Sequence, residues 1–268
     1  MSMIEIHDLC FSYGQTGILK DLSVSFDQGT FWAIGGPNGA GKSTLLNLMC
    51  GALRPESGHI LIEGERLSDL NTRNVASRIA VVRQEYVPAF EFTVAETVAL
   101  GRTASLRGAG FETASDKTAI EEAMKATDTL RFADRSLAHI SSGERQRVFI
   151  AKALAQNTPI ILLDEPTSFL DLKHQVEIYD LLKHLQIAKN KTIVTVTHDL
   201  NLSRQYCDHI LLIGAGLDYC FGKCGDILTK DRLAKYFNVD GIALKCGGCD
   251  FFLPVGDMSS LAAEKDSQ

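Results

Sequence analysis

Apolar and polar positions change rhythm along this chain. In its first third, short apolar runs at Ile4 to Phe11, Ile18 to Phe26, Phe31 to Ile34 and Ile60 to Glu63 are separated by glycine-containing turns, the pattern of short β-strands. A further run, Ile79-Ala80-Val81-Val82, ends at Arg83-Gln84. From about Pro88 to Ala138 strand-like runs give way to Ala, Glu and Lys at helical spacing. Asp116 to Thr127 places Ile120, Ala123 and Met124 on one face and Glu121, Glu122 and Lys125 outside. Beyond it the two periods alternate. A helix is expected from Gly143 to Gln156, a buried strand from Ile160 to Leu163 and a helix from Leu172 to Leu185, followed by strands Thr192 to Val196 and Ile210 to Ile213. Such alternation predicts an α/β protein with a mostly parallel sheet covered on both faces. Ser259 to Gln268 reads as a fraying tail.

Composition narrows the function classes. At 268 residues, one large or two closely joined domains are expected, and 45% hydrophobic content is enough for a sizeable core. A net charge of −6 gives no electrostatic reason to expect DNA, RNA or an anionic lipid surface as the main partner. No run of about eighteen apolar residues is present, and Met1-Ser2-Met3-Ile4-Glu5 lacks the basic flank of a signal peptide. The chain is therefore expected in the cytosol. If it serves a membrane process, another polypeptide must cross the membrane.

The chemistry starts at Gly36-Pro37-Asn38-Gly39-Ala40-Gly41-Lys42-Ser43, which fits G-x-x-x-x-G-K-[ST] between a strand and a helix running from Thr44 to Cys50. Glycines let backbone N–H groups turn inward around anionic oxygens, and the helix N-terminus adds about half a positive charge. Lys42 is placed to neutralise the outer phosphates of a nucleotide and Ser43 to ligate Mg²⁺. Further on, Ile160-Ile161-Leu162-Leu163 runs into Asp164-Glu165. Two adjacent carboxylates at the end of a buried strand are costly without a cation or substrate. Asp164 is the expected acidic partner of Ser43 at Mg²⁺, and Glu165 the group that orients or deprotonates an attacking water.

Taken together these residues resemble the ABC ATPase family over nearly the whole chain. Ile140-Ser141-Ser142-Gly143-Glu144, followed by Arg145-Gln146-Arg147, stands where that family has its Leu-Ser-Gly-Gly-Gln signature. By itself Ser-Ser-Gly before a helix is an ordinary N-cap. The resemblance makes it a second anion site. It also implies that Tyr13 stacks on adenine and that Gln84 reaches Mg²⁺ or the lytic water. Ser168-Phe169-Leu170-Asp171 becomes a loop facing a partner subunit, with Asp171 near nucleotide, and His198 a ligand of the γ-phosphate. Thr44 belongs with the phosphate loop, and Ser142 and Glu144 with the signature contacts.

The implied fold is a P-loop NTPase (RecA-like) mixed sheet with an N-terminal antiparallel β subdomain and an inserted helical subdomain. Its expected division is 1–86 and 146–240 for the nucleotide-binding core, 87–145 for the helical part, and 241–268 for a C-terminal hairpin and tail. Two departures stand out. Ser142 replaces a glycine, so a positive φ there would be costly, and Glu144 replaces glutamine, bringing negative charge within a turn of the phosphate site. Both are expected to tune nucleotide-driven closure without abolishing activity.

The resemblance further implies a head-to-tail homodimer with two ATP molecules at its interface. It also implies a separate membrane permease contacting the insert around Glu91 to Arg107, and an extracytoplasmic substrate-binding protein acting through that permease. The chain would then lie peripherally on the inner face of the membrane. Val98-Ala99-Leu100-Gly101-Arg102 and Leu170-Asp171-Leu172-Lys173-His174-Gln175 resemble importers of iron–siderophore complexes, haem, cobalamin and related metal chelates or oxyanions. A soluble ATPase of iron–sulfur cluster assembly is the alternative, since it shares every nucleotide motif. Seven cysteines without a secretory signal read as reduced thiols or metal ligands. Cys220, Cys224, Cys246 and Cys249 are a candidate Zn²⁺ or iron–sulfur set. Against that, Gly247-Gly248 between Ala243-Leu244-Lys245 and Phe251-Phe252-Leu253 reads as a β-hairpin, and the Cys220 to Cys224 spacing is not one of the strong zinc patterns.

Overall fold

The computed structural model describes residues 1–83, 92–104, 113–246 and 249–255, apart from a few side chains at the tip of the last hairpin. The chain opens with β1 (Ser2–Tyr13), β2 (Thr16–Asp27) and β3 (Phe31–Gly35), then α1 (Lys42–Met49), β4 (Ser57–Ile62), β5 (Glu65–Arg66), α2 (Thr72–Arg78) and β6 (Ile79–Val82). Helices α3 (Val94–Ala99), α4 (Ala114–Ala126) and α5 (Ser142–Ala155) follow. Then come β7 (Ile160–Asp164), α6 (Leu172–Lys189), β8 (Thr192–Val196), α7 (Leu200–Tyr206) and β9 (His209–Ile213). The chain closes with β10 (Tyr219–Lys223), α8 (Cys224–Ile227), α9 (Lys230–Phe237), β11 (Asp240–Cys246) and β12 (Cys249–Val255).

Two main sheets result. One is antiparallel, in the order β2-β1-β4-β5; the other has the order β10-β9-β3-β8-β7-β6 and is parallel except where β10 meets β9. The parallel strands are short and buried over nearly their whole length, as in Phe31–Gly35 and Thr192–Val196, so they show no alternation. One apolar cluster fills the space between the sheets around α1, with Phe26, Trp32 and Leu45 among its members. A second lies on the far face under α6 and α7, around Tyr179 and Leu182. A third, smaller one knits α3, α4 and α5 together through Val94, Val98, Met124 and Val148.

Because β3, β8 and β7 are neighbours and run the same way, their carboxyl ends lie side by side. Everything expected of a site on those ends is thereby gathered at one edge, where open α/β sheets take their ligands. The runs around Cys246 and Cys249 pair as an antiparallel hairpin with Cys246 opposite Cys249. Strand β10 and helices α2, α7 and α8 are short or half-buried and not marked by clear periodic patterns, whereas α9 buries Leu233 and Tyr236 at helical spacing.

Candidate active site

Helix α1 begins at Lys42 behind Gly41, which has φ +95°, a left-handed conformation that only glycine adopts without strain. A Cβ on Gly41 would also stand 2.6 Å from Ile18 Cγ2. No side chain caps this helix, so its first N–H groups are left for a ligand. The buried Lys42 ammonium donates to the carbonyls of Gly36 and Pro37, each at 2.9 Å, and so lies folded along the loop. Burial lowers its pKa, while the nearby Glu165 and Asp164 carboxylates act in the opposite sense.

The Ser43 hydroxyl donates to Asp164 Oδ1 at 2.9 Å, joining the start of α1 to the end of β7. Desolvation raises the Asp164 pKa, and the negative charge of Glu165 adds to it, against the Ser43 hydrogen bond and the positive charges of Arg83 and Lys42. An acid held in that state gains from a divalent cation. The pair of adjacent hard oxygen donors, hydroxyl and carboxylate, is the donor set Mg²⁺ takes.

Glu165 has φ +48°, an uncommon backbone state for a residue with a side chain and one often found at functional sites. Its N–H donates to Val196 O of the neighbouring strand at 3.1 Å, which turns the carboxylate out from the sheet edge. There His198 Nε2 meets Oε1 at 2.8 Å and the Ser168 hydroxyl donates to Oε2 at 2.8 Å. The His198 turn is held from beneath. The buried Tyr179 hydroxyl lies 3.1 Å from Thr197 Oγ1, and that oxygen accepts from Asp199 N at 3.0 Å. The sequence alone does not single out Tyr179 or Thr197, because their significance depends on which elements become neighbours. The Ser168 contact is local, three residues from Glu165, and carries no pattern of its own.

The Ser141 turn differs in kind. Ser141 is the N-cap of α5; its hydroxyl accepts from Glu144 N at 3.2 Å, while Glu144 Oε2 accepts from Ser141 N at 2.9 Å and from its hydroxyl at 3.0 Å. This is a capping box. Ser142 is the first residue of α5 and is not among the positive-φ residues, so the glycine-to-serine penalty does not arise. Glu144 is likewise a helix cap rather than only an unfavourable charge. The hydrogen bond from Ser141 N keeps its pKa low. Gly143 is required by contact: a Cβ there would stand 2.7 Å from the His174 ring.

Asp171 caps α6, accepting from His174 N at 2.9 Å and lying 2.7 Å from His174 Nδ1. Two residues before Asp171, Phe169, at φ +64°, is 79% exposed, an unusual position for a large apolar residue. Tyr13 ends β1, about half-exposed and edge-on to Phe11 with ring centroids 4.9 Å apart. Gln84, Glu91 and residues 105–107 of the insert lie outside the described residues. Among the described residues no hydrogen bond or ion pair joins the turn 141–144 to the loop 36–43. The chain thus brings Lys42, Ser43, Asp164, Glu165, Ser168 and His198 together and leaves the Ser141 turn apart.

Of the candidate thiols, Cys224 is buried in the apolar cluster beneath α7, and burial pushes its pKa up to about 12, which disfavours a thiolate. Among the described residues no group of three or more His, Cys, Asp or Glu is placed to hold a metal ion. The side chains of Cys246 and Cys249 lie outside that description.

A family model described as "ABC transporter" matches residues 19–168. The chain is 36% identical over 231 residues to the ferric enterobactin transport ATP-binding protein FepC of Escherichia coli, covering 86% of this chain and 85% of the relative. It is 35% identical over 264 residues to the cobalamin import ATP-binding protein BtuD of Halobacterium salinarum. That match takes in 97% of this chain but 66% of the relative's length. Among solved structures it matches an inward-facing metal-chelate type ABC transporter with a TM-score of 0.86 and 28% identity, covering 96% of this chain and 99% of that one.

Proposed function

The chain belongs to the ABC transporter family as an ATP-binding cassette, and from that premise we propose that it is the ATP-hydrolysing subunit of an importer taking up an iron–siderophore or related metal chelate. The observation that carries the reading is the group of Lys42, Ser43, Asp164, Glu165 and His198 on the ends of three neighbouring parallel strands. The Gly36 to Thr44 loop would take the phosphates on its free N–H groups. Lys42 would exchange its two carbonyl partners for phosphate oxygens, a swap of neutral for charge-assisted hydrogen bonds. Ser43 and Asp164 would hold Mg²⁺, with Gln84 as a further ligand. When bound, the ion neutralises charge on the phosphoryl group being transferred.

Glu165 would then orient and deprotonate the attacking water. His198, already on its carboxylate, would hold that carboxylate in place and turn one edge toward the γ-phosphate. The adenine would rest on the exposed ring of Tyr13. Since the Ser141 to Glu144 turn does not meet the loop of its own chain, it would close the site of a second copy, with Asp171 and the exposed Phe169 on the same face. Each nucleotide would thus be shared between two chains. Loss of the γ-phosphate would let them part and pass that motion to a permease.

No described helix is long and apolar enough to cross a membrane, so the crossing would fall to that separate permease. The chain would sit on the membrane's inner face, and an extracytoplasmic binding protein would deliver the chelate. The iron–sulfur assembly alternative draws no support from the relatives named above, which are transport and import ATP-binding proteins. Purification in mild detergent tests the reading. Recovery of a polytopic membrane protein, with ATPase activity stimulated by a chelate-loaded binding protein, is expected. Recovery only of soluble scaffold proteins contradicts it.

A further inference from the structure

The hairpin of β11 and β12 takes no part in the reading so far, yet it is tied to the helix that follows His198. Asn201, three residues beyond that histidine, uses both ends of its carboxamide on one residue of β12. Its Nδ2 donates to Phe252 O at 3.2 Å and its Oδ1 accepts from Phe252 N at 2.9 Å. Among the described residues no strand pairs the edge of β12 away from β11, and the side chain takes that place at Phe252. At the other end of α7, Arg204 Nη1 donates to the carbonyls of Cys224 and Leu228, each at 3.3 Å. A helix of seven residues has little stability of its own, so its position depends on what it packs against.

Beside these ties lies a cavity of about 540 Å³. Glu165, Ser168 and His198 line it together with Phe237, Phe252 and Pro254. The space gives α7, and the His198 turn at its head, somewhere to move. The Thr197 and Tyr179 hydroxyls, and the Thr197 N–H on Ile34 O, hold the turn from beneath, and the imidazole itself is 43% exposed.

We infer that Asn201 is a positioning residue for His198: by clamping β12 to α7 it keeps the imidazole on the Glu165 carboxylate, so that the C-terminal hairpin serves ATP turnover without touching nucleotide. This rests on the role given to His198 above. The loss expected on removing an outer-shell partner is about tenfold.

The test is a double-mutant cycle in the purified protein, reading kcat and KM for ATP in Asn201→Ala, His198→Ala and the double variant, with thermal unfolding of each as a folding control. Asn201→Ala is expected to lower kcat about tenfold with KM little changed, and to have almost no further effect once His198 is alanine. Asn201→Asp keeps the acceptor for Phe252 N but sets an oxygen against Phe252 O, and falls between. It also serves where the alanine variant does not fold. Unchanged kcat in Asn201→Ala, or an equal loss on both His198 backgrounds, overturns the inference and leaves the site reading standing. Full turnover in His198→Ala overturns both.

Discussion

Two helix N-termini in this chain are candidate anion sites, and they are built differently. At Lys42 the helix starts without a side-chain cap, behind a left-handed glycine and beneath a buried lysine. At Ser141 two of the corresponding groups, Ser141 N and Glu144 N, are taken by the chain's own glutamate and serine side chains. The first is costly to form unless something anionic completes it. The second is a capped helix start, stable without a ligand. One turn therefore declares a ligand from its own chemistry, while the other has a binding role only in the company of a second chain.

Substitutions can break or sharpen that contrast. The largest expected effect is at the hydrolytic carboxylate: Glu165→Gln should bind ATP normally and lower turnover roughly a thousandfold, as loss of a general base does. Turnover within about tenfold of the parent would remove Glu165 from that role. Next, Lys42→Ala should weaken ATP binding about thirtyfold, the worth of a charge-assisted hydrogen bond, measured by fluorescent-nucleotide titration. Ser141→Ala should leave that binding unchanged while cutting turnover about tenfold, since it touches nucleotide only across the dimer. Were Ser141→Ala to weaken binding as much as Lys42→Ala, the two turns would not be distinct in kind.

Much of this contrast is legible in the residues themselves. The loop needs glycine, lysine and serine at set positions, so Gly36 to Ser43 announces itself, and the strand leading into Asp164-Glu165 does the same by burying two acids at its end. The Ser141 turn is opaque, because a capping box and a signature motif share the same residues. The penalty expected at Ser142 came from assuming a left-handed turn where the helix in fact begins. Tyr179 and Asn201 were out of reach for another reason: their partners Thr197 and Phe252 become neighbours only through tertiary packing. Helices α7 and α8 are short, and periodicity says little about such segments, whereas α9 buries Leu233 and Tyr236 at helical spacing and was within reach.

Smaller effects test the finer points. Glu144→Gln keeps a side chain able to close the capping box and removes a charge next to the phosphate site. It should favour the ATP-dependent dimer about threefold, read from the ATP concentration at half-assembly. The least effect concerns the insert, where buried Asp116 accepts from Arg102 at 2.9 Å and caps α4 through Thr113. Its pKa is lowered from 3.8 to about 2, chiefly by the Thr113 hydrogen bonds and then by Arg102. A depressed carboxylate pKa gives a stabilisation that is full above 3.8 and lost as pH falls through about 2. Arg102→Ala should therefore destabilise at pH 7 and lose much of that difference near pH 2, by denaturant titration. A difference independent of pH would place the role of Arg102 in packing and in its hydrogen bond to Ala155 O.

The account turns on nucleotide shared between two copies, and sedimentation of the Glu165→Gln chain with saturating Mg-ATP tests it most directly. A dimer is predicted. Adding Ser141→Asp, which retains a good helix cap but sets a carboxylate at the proposed phosphate contact, should leave each chain loaded with ATP yet monomeric. A dimer that survives that second change, or a Glu165→Gln chain that stays monomeric with ATP bound, would contradict the shared site.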